Sequence, residues 1–366
     1  MRFASAETPE APRWALPRAV IVLLGLAAAV IVIAGMKAFA GVIGPTFLAL
    51  ILTVGIHPLH TWLRRKGFPT WVAVAAVLAV VYGILLGLVV ALALSIAQFA
   101  TTLPTYQDKF DDLLAQARQL LEARGIGQDE VQKALNIDAD RVFNIVTAIL
   151  DSTLGVFSGL VFVITLLLFM TVDAVSYDRR LSILQRMRPD IVSALATFSS
   201  GTRKYLLVST VFGLIVAVLD TGALSLIGIP LPILWGLLSF ITNYIPNVGF
   251  VLGLIPPALL GLLEGGPGTM LLVIAVYSVI NVVIESVIQP KFVGDTADIS
   301  VTLTVLALVV WGWVLGPLGA LLAIPLTLLA RALLVDIDPS TRWVDSLVSA
   351  KVVDPADEED EEKGVE

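Results

Sequence analysis

Cysteine is absent from the 366-residue sequence, and charged residues are scarce, with Asp, Glu, Lys and Arg together making up 14%. The absence of cysteine excludes disulfides, thiolate-ligated zinc and thiol nucleophiles. The sequence also lacks the His-Glu-x-x-His run of zinc proteases and the Gly-x-x-x-x-Gly-Lys-[Ser/Thr] run of ATP-driven proteins. We therefore predict that the protein is not an enzyme and that it uses no cofactor and no metal.

Apolar residues dominate the composition of the chain. They make up 57% of the chain, and the mean hydropathy is +0.93, which is too high for an ordinary soluble domain. The net charge of −7 is concentrated at the end, where residues 336–366 carry eleven acids and three bases. This block predicts an acidic, disordered tail. The rest of the chain predicts an all-α polytopic membrane protein.

Six apolar runs have the length of a full membrane-spanning helix, which is about 20 residues. They are residues 19–36, 39–62, 70–97, 154–172, 205–227 and 270–288. Basic residues cluster in the N-terminal residues 1–18, at 64–66 and in an amphipathic segment at 174–204. Such clusters mark the cytoplasmic side, which places the N-terminus there, and counting the later crossings of the membrane predicts that the C-terminus lies on the same side. Nucleic-acid binding is not needed to explain the basic residues.

The predicted organisation follows from these runs and from the charges between them. Residues 19–100 form the first three spans, and residues 101–151, which are acidic and partly helical in pattern, form an external subdomain. Residues 152–227 hold the next two spans, and residues 228–335 form a transport core ahead of the tail.

Two further apolar runs are broken near their midpoints. The run from Leu231 to Leu263 is interrupted by NYIPNVG at Asn243–Gly249, and the run from Val301 to Leu334 is interrupted by GPLG at Gly316–Gly319. Each half has roughly fifteen residues, whereas a helix that crosses the membrane needs about 20. We therefore predict two opposed helical hairpins around the 270–288 span. Two broken but complete spans, giving eight in all, are the alternative.

The breaks and the span between them supply the candidate binding residues. Irregular backbone at membrane depth must be buried in protein or line a wet cavity, as it does at transporter binding sites. An ionisable residue there is a functional hypothesis by default. The candidates are Asn243, Pro246, Asn247, Gly249, Asn281, Glu285, Gln289, Gly316 and Pro317.

Several of these residues also have a purely structural explanation. The side chains of Asn243 and Asn247 could satisfy the loose backbone of their own turn. Glu285, which lies one helical turn after Asn281 and one before Gln289, could bind the backbone of a neighbouring hairpin instead of an ion. Asp220, in the fifth span, is predicted to be solvated near the outer membrane boundary.

Several motifs in this order resemble the AI-2E transporters, the autoinducer-2 exporter family also called PerM-like permeases. They are Gly228-Ile-Pro230, the run from Asn243 to Gly249, Ile255-Pro256, the run from Glu285 to Gly294, Leu315–Gly319 and Ala323–Leu326. The resemblance covers residues 19–334 in the order of spans. It implies export of a small solute such as autoinducer-2 across the inner membrane, with a proton or sodium ion as a possible coupling ion. It also implies a homo-oligomer, with a pentamer expected, and an elevator-like movement of the hairpins.

Our prediction is thus a secondary transporter that exports a small polar solute by alternating access. One alternative is a cation/proton antiporter in which Glu285 is the carrier. Another, from a different class, is a membrane scaffold that transports nothing and binds partners through the external subdomain and the tail. Irregular backbone at membrane depth argues against the scaffold, because a scaffold does not need it.

Overall fold

The computed structural model describes residues 17–106, 109, 112, 115, 116, 119, 159, 161–173, 177–246, 248–289 and 300–337, and within these ranges all regular structure is helical. The predicted all-α polytopic membrane fold is confirmed. The helices are α1 (Arg18–Ala38), α2 (Ala40–Arg65), α3 (Thr70–Thr102), α4 (Val161–Asp173), α5 (Tyr177–Met187), α6 (Pro189–Ile227), α7 (Pro232–Thr242), α8 (Gly249–Asn281), α9 (Val301–Leu315), α10 (Pro317–Leu321) and α11 (Ala323–Arg331).

Five stretches of the described residues are long and apolar enough to cross a membrane. They are Ala19–Ala38, Ala40–Arg65, Thr70–Phe99, Pro189–Ile227 and Gly249–Ile288. The apolar helices α4, α7 and α9 are shorter, with 10–17 residues each. The predicted external subdomain at 101–151 and the tail at 336–366 lie almost entirely outside the described residues, as does the N-terminal segment before residue 17.

Helix α6 is the longest helix in the described chain and the one on which both hairpins pack. It has 39 residues, with Pro189 at its first turn and Gly228, at φ 87°, closing its end. Because Pro189 starts this helix, residues 189–204 are continuous with the fifth predicted span. Of the predicted amphipathic segment at 174–204, only α5 forms a separate helix. Proline favours the first helical turn, where its missing N–H is not needed.

The first hairpin consists of α7 and the beginning of α8. Helix α7 runs antiparallel to α6, because Gly236 lies against Ala217 and Thr221 whereas Asn243 lies against Gly213. Gly253 of α8 then packs back on Ser239 and Thr242 of α7.

Gly266, at φ 75°, breaks α8 into two limbs. Gly261 before the break contacts Met270 and Val273 after it, so the second limb folds back along the first. Glycine reaches this left-handed backbone region without the steric cost that other residues meet.

The second hairpin consists of α9, α10 and α11. Ser300 caps α9 by accepting a hydrogen bond from the backbone N–H of Leu303 at 3.3 Å. Gly316, at φ 69°, ends α9. The return limb then packs on α9, with the Trp311 indole N–H donating to Thr327 Oγ1 at 3.0 Å.

The two hairpins approach α6 from opposite ends. Helix α7 begins next to the C-terminal end of α6, where Leu224, Leu234 and Trp235 share one buried cluster. Helix α11 packs near the other end of α6, where Ile324 and Leu328 are buried against Phe198. The two broken segments therefore pack against opposite ends of one long helix.

Candidate functional site

The tip of the first hairpin is held against α6 by hydrogen bonds. The Asn243 side-chain amide donates to the backbone carbonyl of Ser209 at 3.1 Å. The Tyr205 hydroxyl donates to the backbone carbonyl of Tyr244 at 2.6 Å. The Tyr244 hydroxyl lies 2.6 Å from Thr210 Oγ1. The irregular backbone is therefore supported by protein, as groups removed from water require.

These contacts give Asn243 a different role from the local one that a turn asparagine usually has. Its amide binds the backbone of another helix, 34 residues away in sequence, and leaves its own Oδ1 available. Gly213 makes the approach possible, since a Cβ at that position would lie 2.8 Å from the Asn243 amide nitrogen.

Gly249 closes the tip because a larger residue does not fit. A Cβ at this position would lie 1.8 Å from the carbonyl oxygen of Thr242, which is backbone and cannot rotate away. Pro246 is partly buried in the same turn, and Asn247 lies outside the described residues.

Behind the tip, α6, α7 and α8 enclose a small polar cavity. Its free volume is about 10 Å³, which is close to the space that a single water molecule occupies. The cavity is lined by Val216, Ser239, Thr242, Asn243, Phe250, Gly253, Tyr277, Asn281 and Glu285.

The three predicted candidates on the span after the first hairpin, Asn281, Glu285 and Gln289, differ in exposure and in their distance from this cavity. Asn281 is buried, with its amide donating to the Tyr277 carbonyl at 2.9 Å. Glu285 is exposed in the isolated chain, although it lines the same cavity. The helix is π-helical over Val282–Ile288, and such wider turns rotate side chains away from the regular i, i+4 alignment. Gln289 is partly buried and does not line the cavity.

The break in the second hairpin, at Gly316 and Pro317, lies away from this cavity. Pro317 is exposed and Gly316 partly buried, and neither lines the cavity behind the first tip. Leu318, in the same turn, packs on Gly44 of α2. The structure therefore brings Asn243, Asn281 and Glu285 together and leaves Gly316 and Pro317 apart from them.

Asp220 is the residue that the sequence argument placed wrongly. It was predicted to be solvated, but its exposed fraction is 0%. Both carboxylate oxygens are buried without a hydrogen-bond partner among the described residues. Ser239 lies next to this carboxylate, and the Tyr277 hydroxyl, also buried and unpaired, lies near both.

Ser239, Thr242 and Tyr277 were also missed, and for each of them the sequence carries little signal. Hydroxyl residues are common in apolar helices, where they bind the backbone of their own helix, as Thr242 does toward Leu238 at 2.9 Å. Asp220 did carry a signal, because it is the lone acid between Tyr205 and Ile227, and an acid within a span is functional by default.

Sequence comparison places the chain among transport proteins. A family model described as AI-2E family transporter matches residues 26–337. "Putative transport protein YhhT" of Escherichia coli K12 is 29% identical over 309 residues, which cover 84% of this chain and 88% of that protein. "AI-2 transport protein TqsA" of the same organism is 28% identical over 312 residues, covering 85% and 90%. "Putative transport protein YrrI" of Bacillus subtilis is 23% identical over 325 residues, covering 80% and 87%.

Proposed function

The chain belongs to the AI-2E transporter family, and from this premise we propose that it is a secondary transporter that exports a small polar solute across the inner membrane by alternating access. The observation that carries the proposal is the first hairpin, whose irregular tip is hydrogen-bonded to α6 and lies next to a polar cavity. Transporters commonly place their binding sites at such interrupted helices.

The solute class follows from the groups at the tip. Asn243 and Asn281 offer amide oxygens, and Ser239 and Thr242 offer hydroxyls, which suit a neutral, hydroxyl-rich ligand. The relative TqsA is named as an AI-2 transport protein, which supports an autoinducer-2-like solute here.

The cavity is too small for such a solute in this conformation, since it has room for about one water molecule. Transport therefore requires the first hairpin to move relative to α6. The hydrogen bonds from Tyr205 and Asn243 would hold the closed position, and an elevator-like displacement of the hairpin would open it. Closing of this kind excludes water from the site.

Flux in proteoliposomes tests the proposal. We expect Asn243→Ala and Glu285→Gln to lower autoinducer-2 flux at least tenfold while membrane insertion stays normal. Asn247→Ala extends the test to the other asparagine of the turn. Ser225→Ala is a suitable control, because the Ser225 hydroxyl only binds the carbonyl of Thr221 in its own helix. Wild-type flux in both Asn243→Ala and Glu285→Gln would remove these residues from the mechanism.

The second candidate function is cation/proton exchange with no organic solute, with Glu285 as the carrier. It is favoured by the size of the cavity, which suits an ion better than a sugar-sized molecule. Proton movement driven by an imposed sodium gradient, with no dependence on added solute, would select this function. A scaffold function predicts instead that bulky substitutions at the tip are harmless.

A further inference from the structure

The short helix α5 and the residue that follows it present three exposed arginines, Arg180, Arg186 and Arg188. None of the three forms an ion pair within the described part of the chain. We call these side chains the arginine surface. A surface of one sign of charge attracts a partner of the opposite sign and repels one of its own. The arginine surface therefore fits an acidic partner.

The chain returns to α5 at the end of the second hairpin. Ile337 packs on the buried cluster that contains Ala194, near the start of α6. Val335 and Asp336 line one groove together with Gln185 of α5. The last described residues and the arginine surface therefore lie at the same end of the molecule, and the residues after Ile337 continue from a point beside α5.

The sequence that continues from this point contains an acidic partner. Asp357–Glu362 is a run of six consecutive acids, DEEDEE, and it begins 20 residues after Ile337. A chain of that length can span up to about 66 Å. The distance to be bridged is much smaller, because Arg180 is separated from Gln185 by about 8 Å along the helix axis. The acidic run can therefore reach the whole arginine surface.

The dimensions and the covalent attachment both favour this contact. Arg180 and Arg186 lie about 9 Å apart along the helix axis, and a run of six extended residues is about 20 Å long, so one acidic run can contact all of the arginine surface. Single exposed ion pairs are weak. Attachment to the same chain gives the acidic run an effective concentration of about millimolar, at which several weak ion pairs together are sufficient for binding.

The groove between α5, α6 and the end of the second hairpin is a poorer site for an acidic segment. It is lined by two acids, Asp190 and Asp336, and Arg331, its one basic lining residue, lies 3.8 Å from Asp336. These carboxylates repel further acids. The exposed arginine surface beside the groove is therefore the favoured position.

We propose that the arginine surface of α5 binds the acidic run Asp357–Glu362 of the same chain. The contact is electrostatic, and it joins the C-terminal part of the chain to the start of α6, the helix on which both hairpins pack. The acidic run lies beyond residue 337, where the match to the family model ends. The contact needs neither the solute nor transport, so its failure and the failure of the proposed function are distinguishable.

The distance between two spin labels tests the contact in the full-length protein, placed in nanodiscs of neutral lipid. One label is attached at Ile183→Cys, which is 56% exposed and lies on α5 between Arg180 and Arg186. The other is attached at Gly364→Cys, two residues after the acidic run. We expect a population of short label-to-label distances at low salt. This population should fall at least threefold in about 0.5 M salt, because salt screens charges at the surface.

Variants assign the contact to the two partners. The combined variant Arg180→Gln, Arg186→Gln and Arg188→Gln should lose the short-distance population. Reversing the same three arginines to Glu should abolish it as well. Reversing the six acids of Asp357–Glu362 to Lys in that second variant should restore the short distances, because the charges are then complementary again.

The matched control removes the same charge from the exposed end of α2 through Arg64→Gln, Arg65→Gln and Lys66→Gln, and it should behave as wild type. The proposal is overturned if the wild type shows no short distances at low salt, if the control loses them as the arginine variant does, or if charge reversal of both partners does not restore them. Loss of the short distances in nanodiscs that contain phosphatidylglycerol would also overturn it, because anionic lipid would then occupy the arginine surface instead.

Discussion

At the scale of single residues, the hairpin tip depends on positions where only a small side chain fits. Gly213 lets the Asn243 side chain reach the backbone of α6, and Gly249 lets α8 begin directly on the end of α7. The two glycines differ in what a methyl group would meet. At Gly213 the obstacle is a side chain, which can adjust, whereas at Gly249 it is the carbonyl group of Thr242.

Gly249→Ala should therefore destabilise the protein. Its Cβ would lie 1.8 Å from the Thr242 carbonyl oxygen, and relieving an overlap with backbone costs about 1–3 kcal/mol or more. Thermal unfolding in detergent measures the change. Gly222→Ala is the matched control, because a Cβ there meets nothing within 4 Å, and Ala is favoured over Gly in a helix by about 1 kcal/mol. Equal stability of the two variants would contradict this account of the tip.

At the scale of elements, the far end of the first hairpin is fastened to the segment that follows α3. Glu264, just before the break at Gly266, accepts a hydrogen bond from the Tyr106 hydroxyl and forms an ion pair with Lys109 at 2.8 Å. Tyr106 is 3% exposed, and burial, with the Glu264 carboxylate beside it, raises the pKa of its phenol. The phenol is therefore protonated, and able to donate, over the physiological pH range.

We expect Tyr106→Phe to cost more stability than Lys109→Met. A hydrogen bond to a charged group contributes about 1.5–3 kcal/mol, whereas an exposed ion pair contributes about 0–1 kcal/mol, and the Lys109 side chain is 46% exposed. Denaturant or thermal unfolding of the two variants checks the order. A larger loss for Lys109→Met would show that the ion pair, not the buried phenol, fastens this end.

The opposed arrangement of the hairpins makes a labelling prediction. Single cysteines in this cysteine-free chain are best placed at Val248 and Pro317, which are exposed at the two tips, because a cysteine at Gly249 would meet the Thr242 backbone. We expect membrane-impermeant reagents to label the two sites from opposite sides in at least one transport state. The same reagents, applied to single cysteines near the N-terminus and near the C-terminus, show on which side of the membrane each terminus lies. Labelling of both tips from one side in every condition would contradict opposed hairpins.

At the scale of the whole molecule, one chain leaves much apolar surface uncovered. None of the span of α1 is buried within the chain, and Ile31 on it is 71% exposed. Helix α1 is attached mainly through α2 and α9, with the Lys37 amine 3.8 Å from the centre of the Trp313 ring. Lipid and further copies of the chain are the two surroundings in which such a surface is stable.

We expect the protein to be a homo-oligomer, with a pentamer proposed from the family resemblance. Native mass spectrometry of the detergent-purified protein should then give a mass about five times the 39.0 kDa of the chain, after delipidation as well as before it. A mass of one chain under both conditions would contradict the oligomer and leave lipid as the partner of α1.

The amino-acid sequence by itself determined the class of fold, the places where the apolar runs break and the family. These depend on local properties, since hydropathy, chain length and the positions of proline and glycine act within one segment of the chain. Gly316 thus ends a helix in the structure where the GPLG run predicted a break.

The composition of the site was decided only by the tertiary structure. Asp220, Ser239 and Tyr277 lie on three different helices, and whether an acid in a span faces water, lipid or protein depends on which helices pack around it. Helical spacing likewise aligned Gln289 with Asn281 and Glu285, but after the π-helical turn at Val282–Ile288 only Asn281 and Glu285 line the cavity. Burial and the meeting of distant side chains are properties of the packed molecule, and the full burial of the Asp220 carboxylate became evident only there.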